Sequence, residues 1–186
     1  MQVDPDRQDS DERLVARFLQ GDESAFDDLV ARHRLGIYRL GFRLMGSHEE
    51  ADDLSQEAFL RAYRGLRGFR GDASFRTWIA RIAINLAHGA RRSRARSVPL
   101  EEAPGMQCDA AGPDVTLKRQ VRQAVGGLPS RQRQILVLRV YQGMRFAEIA
   151  QVAGISIGTA KATFFQAVRN LRGRLAPAGG APGEGA

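Results

Sequence analysis

The sequence predicts an all-α protein: two small helical domains joined by a flexible acidic linker, the second containing a helix-turn-helix. Three observations carry this. Apolar residues recur at three- and four-residue spacing along nearly every long segment, and no strand-like alternation is sustained. The stretch 97–114 holds Pro99, Pro104, Gly105, Gly112 and Pro113 with four carboxylates and little periodicity, the composition of a linker. Phe146 to Leu175 reads as a helix, a tight glycine turn and a second helix.

Taken in order, residues 1–10 are polar and expected to be mobile. Helical patterns follow at about Asp11–Leu19, Glu23–Met45 and His48–Leu66. Leu14, Val15, Phe18 and Leu19 form the first apolar stripe. Phe26, Leu29, Val30, Ile37, Leu40, Phe42 and Leu44 form the second, and Ala51, Leu54, Ala58, Phe59 and Ala62 part of the third. Ser47 with Glu50 makes a capping box at the start of the third helix. Arg67–Ser74 is rich in Gly and Arg and reads as a loop before a helix at about Phe75–Arg94, on which Trp78 shares the apolar stripe of Ile82. These elements make a first domain over 11–96, and the linker spans 97–114. In the second domain, 115–175, helical spacing runs over Val115–Val125, and Ser130 caps a helix to about Tyr141. Residues 176–186 are too poor in large apolar side chains to fold.

The helix-turn-helix is the most specific local pattern. Its first helix should bury Phe146, Ile149, Ala150 and Ala153, and Gly154 should close it in the left-handed conformation that glycine adopts without steric cost. Ser156 should cap the second helix. There, Ile157, Ala160, Phe164, Ala167, Val168 and Leu171 fall inward, while Gly158, Ala162, Phe165, Gln166 and Arg169 fall outward with Lys161 at the flank. Gln pairs well with adenine, Arg with guanine or phosphate, and an aromatic edge with a thymine methyl. An outward Phe beside Gln and Arg therefore suits a DNA-reading helix, and a helical hairpin packed on another element is the plainer alternative.

Charge is partitioned by segment. Residues 1–57 carry −7, residues 58–98 carry +9, residues 99–114 carry −4 and residues 115–175 carry +10, within a total of +7. Two basic blocks separated by an acidic spacer suggest two contacts with a polyanion, weakened by salt. Because 26 of the 28 basic residues are Arg, base composition contributes, but codon bias does not choose sign by segment. No run of eighteen apolar residues exists and the first thirty positions lack a basic start with an apolar core, so neither a membrane span nor a secretory signal is expected and the protein should be cytoplasmic. One cysteine, Cys108, and the scattered His33, His48 and His88 give no zinc-like spacing, so no metal and no cofactor are expected. Cys108 reads as a free thiol.

Three segments in order resemble one family, the extracytoplasmic-function sigma factors of bacteria. ADDLSQEAFLRAYR, Ala51 to Arg64, is similar to the family's core-polymerase-binding helix. FRGDASFRTWIARIAINLAHGARR, Phe69 to Arg92, is similar to its promoter-opening segment. LPSRQRQILVLRVYQGMRFAEIAQVAGISIGTAKATF resembles its reader of the upstream promoter element. The resemblance covers nearly all of the chain between its ends. It implies a non-enzymatic initiation factor whose partners are core RNA polymerase, promoter DNA both duplex and melted, and an anti-sigma factor able to hold it at the membrane without membrane insertion. A stand-alone helix-turn-helix regulator binding duplex operators is the competing class.

Residue by residue, the resemblance implies that Asp53, Leu54, Gln56, Glu57 and Phe59 dock on the clamp helices of the large polymerase subunit. The side-chain chemistry fits: acids and an amide beside apolar anchors suit a basic helical partner. For the minus-ten element the implied residues are Gly71, Asp72, Ala73, Ser74, Phe75, Arg81, Asn85, Arg91 and Arg92. Arginines hold phosphates, and a polar pocket rimmed by rings accepts a base pulled from the stack. For the minus-thirty-five element they are Ser156, Thr159, Lys161, Ala162, Thr163, Phe165, Gln166 and Arg169. The family commonly has Ser-Arg and a later Arg where this chain has Ala162, Thr163 and Gln166, so its upstream read should lean less on guanine-directed Arg. The resemblance also threads the acidic linker toward the polymerase active centre and RNA exit path.

Overall fold

The computed structural model describes residues 10–97 and 113–176. The expected linker core with Cys108, the first nine residues and the tail from 177 lie outside the described residues. Eight α-helices are described: α1 Asp11–Leu19, α2 Ser24–Met45, α3 His48–Gly65, α4 Phe75–Ser97, α5 Pro113–Gly126, α6 Ser130–Val140, α7 Phe146–Ala153 and α8 Ile157–Leu175. A short 3₁₀ turn, Leu66–Gly68, follows α3. Among the described residues there is no strand, as the helical periodicity requires.

Helix starts follow local chemistry. Ser10 caps α1 by accepting from Arg13 N at 3.4 Å, and Asp11 and Glu12 in the first turn complement the helix dipole. Ser47 caps α3 by accepting from Glu50 N. Proline opens α5, a position where its missing N–H costs nothing; the helix therefore begins at Pro113, two residues before the expected Val115. Pro129, not Ser130, occupies the cap position of α6. Gly46 and Gly154 end α2 and α7 in the left-handed region at φ 88° and 64°.

The first unit, α1–α4, is built around Leu14, Leu29, Leu40, Leu66, Phe75 and Ile79, all essentially inaccessible. Helix α2 packs closely on α3 because Gly41 leaves room there: a Cβ at this position would sit 3.3 Å from the Ala51 backbone. In the second unit, α6 and α8 cross over Leu136 and Ala167, and Val125, Leu128 and Leu136 form a small satellite cluster with Ala167. Leu19, expected inside, is 48 % exposed at the last position of α1.

The sequence leaves the relative placement of the two units open. In the structure they share one apolar cluster: Ile135, Val137, Leu138, Met144, Ile149 and Val152 of the second unit are continuous with the core of the first. Helix α7 lies on α4 and α6 on α2.

Candidate nucleic-acid interface

Three surfaces carry the side chains singled out from the sequence. On α3, Asp52, Asp53 and Gln56 are exposed and Glu57 is half-buried. Gln56 donates to Asp52 at 2.8 Å and Arg61 pairs with Glu57 at 2.6 Å, both one helical turn apart. Such exposed pairs contribute little to stability, so a partner can displace them cheaply. Leu54 and Phe59, expected as the apolar part of the dock, are 7 % and 8 % exposed and pack in the core. The open apolar side chains of α3 are Leu60 and Tyr63, 51 % and 40 % exposed. Both lie three to seven residues beyond Gln56 and Glu57, a helical spacing that signals them in the sequence. Tyr63 packs edge-on against Phe18 and Phe26 while its hydroxyl donates to Glu23 at 3.1 Å, so this ring is held in place.

The second surface is the loop before α4 and the helix itself. Gly71 turns the loop at φ 76°. Ser74 accepts from Thr77 N at 3.2 Å, starting α4. A cavity of about 360 Å³ opens between this loop and α1, walled by Asp11, Glu12, Val15, Phe69, Arg70 and Ser74 among others. Asp11 ties α1 to α2 through Arg32 at 2.6 Å and His33 at 2.7 Å. Burial alone raises the Asp11 carboxyl, yet the hydrogen bonds from His33 and Arg32 outweigh it and hold the group below its ordinary 3.8. Phe75 is 2 % exposed, tilted against His33 and Trp78, so it supplies a cavity wall and not a free stacking face. Trp78 packs on Phe69 at 5.1 Å between centroids, as its place on the apolar stripe predicts.

Along α4, Arg81, Asn85 and Arg92 are exposed at i, i+4, i+11, one face of the helix, with His88 between them. Arg91 points partly inward. His88 is pulled below its ordinary 6.5 by burial first and then by Arg92, Arg91 and Arg131, against a hydrogen bond with Gln134. Gly71 and Asp72 are exposed at the loop tip and Ala73 is half-buried.

The third surface is α8. Ser156 accepts from Thr159 N at 3.0 Å and caps it, as expected. Ser156→Ala should cost about 1 kcal/mol, a few degrees in a thermal melt; an unchanged midpoint would show the cap to be idle. Thr159, Lys161, Ala162, Phe165, Gln166 and Arg169 are exposed, and Thr163 is half-buried. Phe165 is 63 % exposed, the most open of the large apolar side chains among the described residues, and leans edge-on against Phe164, which contacts Phe146. Ile157, expected inside, is 47 % exposed. Ile155, in the turn, is partly buried and packs on the core.

An all-helical protein with a capped helix-turn-helix on one unit and an arginine-lined helix beside a cavity on the other has the layout of a transcription factor that meets DNA twice. Comparison with known proteins makes this specific. The model for Sigma-70 region 2 matches residues 29–97, and that for Sigma-70, region 4 matches residues 118–171. The RNA polymerase sigma-H factor of Pseudomonas aeruginosa is 35 % identical over 185 residues, covering 91 % of this chain and 96 % of that one. The ECF RNA polymerase sigma-E factor of Escherichia coli K12 is 32 % identical over 183 residues, covering 90 % and 95 %. Among solved structures, CnrH in complex with the cytosolic domain of CnrY aligns with a TM-score of 0.71 at 27 % identity, covering 89 % of this chain and 96 % of that one. The fold is also that of the sigma factor RpoE bound to the anti-sigma factor NepR from Bartonella quintana, with a TM-score of 0.68 at 20 % identity over 81 % and 96 %.

The chain belongs to the sigma-70 family, in its extracytoplasmic-function group. It is a transcription initiation factor that binds RNA polymerase and directs it to promoters. No described helix is long and apolar enough to cross a membrane.

Proposed function

We propose that this factor works through three surfaces and without chemistry of its own: α3 docks on the polymerase, the loop and α4 take the melted minus-ten element, and α8 reads the minus-thirty-five element. The observation that carries the reading is the exposure of two distinct reader faces, Arg81, Asn85 and Arg92 on α4 and Lys161, Phe165, Gln166 and Arg169 on α8. Neither face spends its side chains on the core.

On α3, Asp53, Gln56 and Glu57 form the polar part of the dock, and Leu60 with Tyr63 replaces Leu54 and Phe59 as its apolar part. On α4, arginines track the phosphates while the cavity beside Ser74 accepts one unstacked base. Extrusion costs a few kcal/mol, and each base stacked or pocketed returns on the order of 1–3 kcal/mol, so melting needs no ATP once polymerase holds the duplex. On α8, Gln166 and Phe165 favour adenine and thymine edges, Lys161 and Arg169 hold the backbone, and the capped N-terminus at Ser156 presents free N–H groups to a phosphate. The cytoplasm is where these partners meet. The similarity to CnrH, solved with the cytosolic domain of CnrY, supports regulation by an anti-sigma partner.

Purified protein, core polymerase and a fork-junction promoter probe test the whole reading. Opening of the probe should require both protein components; tight sequence-specific duplex binding by the isolated factor would overturn it. Phe165→Ala with Gln166→Ala should shift upstream-element preference, each lost base contact being worth about 1–3 kcal/mol, while polymerase affinity stays constant. Loss of polymerase binding instead would show that this face is misassigned.

A further inference from the structure

Helix α8 rests on α6 and on the end of α5 through a largely apolar surface: Val125, Leu128, Leu136 and Ala167, with Val168 and Leu171 beside them. One polar bond interrupts it. Asn170 of α8 donates through Nδ2 to Oε1 of Gln132 on α6 at 2.8 Å. Gln132 is 8 % exposed and Asn170 is half-buried, so the bond is shielded from water. One turn further along α8, Arg174 comes so close to the Gly127 backbone that a Cβ there would clash with its guanidinium. The bed beneath is itself tied, because Arg133 donates to both the Gly126 and the Leu128 carbonyls.

Stability alone does not call for two amides here. A shape-matched apolar pair is often as stable as a buried hydrogen bond, because the bond made in the protein replaces bonds to water. What apolar contact lacks is direction. A bed of Val, Leu and Ala lets a helix rotate or slide by a fraction of a side chain with little change in buried area, whereas a hydrogen bond weakens once its atoms separate past about 3.2 Å or lose alignment. The turn at Gly154 and the cap at Ser156 fix the near end of α8. Asn170 lies about 21 Å beyond Ser156 at 1.5 Å per residue, and its bond fixes the far end. Gln166 stands about two-thirds of the way along, so a shift of about 1.5 Å at Asn170 displaces it by about 1 Å. That is enough to break a bidentate contact with a base edge.

We infer that Gln132 and Asn170 are positioning residues for promoter selection: their bond sets the tilt and rotation of α8, and with it the register in which Phe165, Gln166 and Arg169 meet the bases. Gln132 is too buried to meet DNA and acts through Asn170. Asn170 follows Gln166 by one helical turn, so the anchor stands directly behind the exposed reading face. The inference rests on the assignment of α8 as reader of the minus-thirty-five element. The pair supplies discrimination between sequences, and the apolar bed supplies the stability on which that discrimination is built.

Near-isosteric replacement tests this. Gln132→Met with Asn170→Leu keeps the volume and removes the bond, whereas Gln132→Glu keeps an acceptor at the same atom, in the first turn of α6 where a carboxylate suits the helix dipole. Each full-length variant is assayed with core polymerase for initiation at a promoter with an intact minus-thirty-five element and at a set carrying single base changes there. The matched-to-mismatched ratio should fall at least fivefold in the apolar pair, while its melting midpoint stays within a few degrees of the parent. In Gln132→Glu the ratio should stay within twofold of the parent. Because the ratio compares two promoters for one protein, a reduced folded fraction cancels from it. Asn170→Ala should lower the ratio in the same direction, by at least threefold. Ratios unchanged in both the apolar pair and Asn170→Ala overturn the inference, as does an equal fall in Gln132→Glu. A parent factor with no preference for the intact element overturns the reader assignment and this inference with it.

Discussion

Leu60→Asp combined with Gln56→Ala should weaken association with core polymerase at least thirtyfold, equivalent to about 2 kcal/mol or more at an interface hot spot. Leu60 is 51 % exposed and sits one turn from Gln56 and Glu57, so the change removes an apolar anchor from the middle of an acidic face. It also adds a charge that the partner must desolvate. The fold should survive, because neither residue spends its side chain on the core, and the thermal midpoint should stay within a few degrees of the parent. Leu54→Ala, on the same helix but 7 % exposed, should do the reverse, costing about 2–5 kcal/mol of stability. Polymerase affinity unchanged by the Leu60 pair in a pull-down would remove this face from the interface.

Phe75→Ala should be the most destabilising single change in the first unit, at about 3–5 kcal/mol. The ring is 2 % exposed, touches His33 and Trp78, and stands at the first position of α4, where the loop, α1 and α2 converge. For a protein of this size the loss corresponds to roughly 10 °C in the melting midpoint. Because the ring is buried and offers no free stacking face, minus-ten binding should fall only as the folded fraction falls. A variant that melts normally yet loses single-stranded minus-ten binding would show that the ring meets the base directly.

Local signals account for most of the fold that could be read in advance. Ser47, Ser156 and Gly154 act through atoms within a few residues of themselves, so their caps and turn stand where the sequence places them. The same holds for the helical stripes, since periodicity assigns a face without knowledge of the partner. Failures cluster where a face meets a particular neighbour. Leu54 and Phe59 share a stripe with Ala51, Ala58 and Ala62 and lie in the core as that stripe requires, while the docking role implied for them by the family resemblance calls for exposure that they lack. Leu19 and Ile157 are apolar and in register, yet each stands at a helix end and is about half exposed. Ile155, in the turn, packs on the core although no helical stripe includes it.

Amino-acid order by itself determined the class of this protein: an all-helical chain, its charge divided by segment, with a helix-turn-helix and the motifs of the sigma-70 family. Those properties depend on spacing, capping and composition, which act over one or two helical turns. Only the tertiary structure decided that Leu60 and Tyr63 are the open apolar residues of α3, that Phe75 belongs to the core, and that Gln142 and Arg133 fasten the two units together. These depend on contacts between residues up to 106 positions apart, such as Gln142 with Gly36, and no periodicity within a single helix encodes which helix will lie against it.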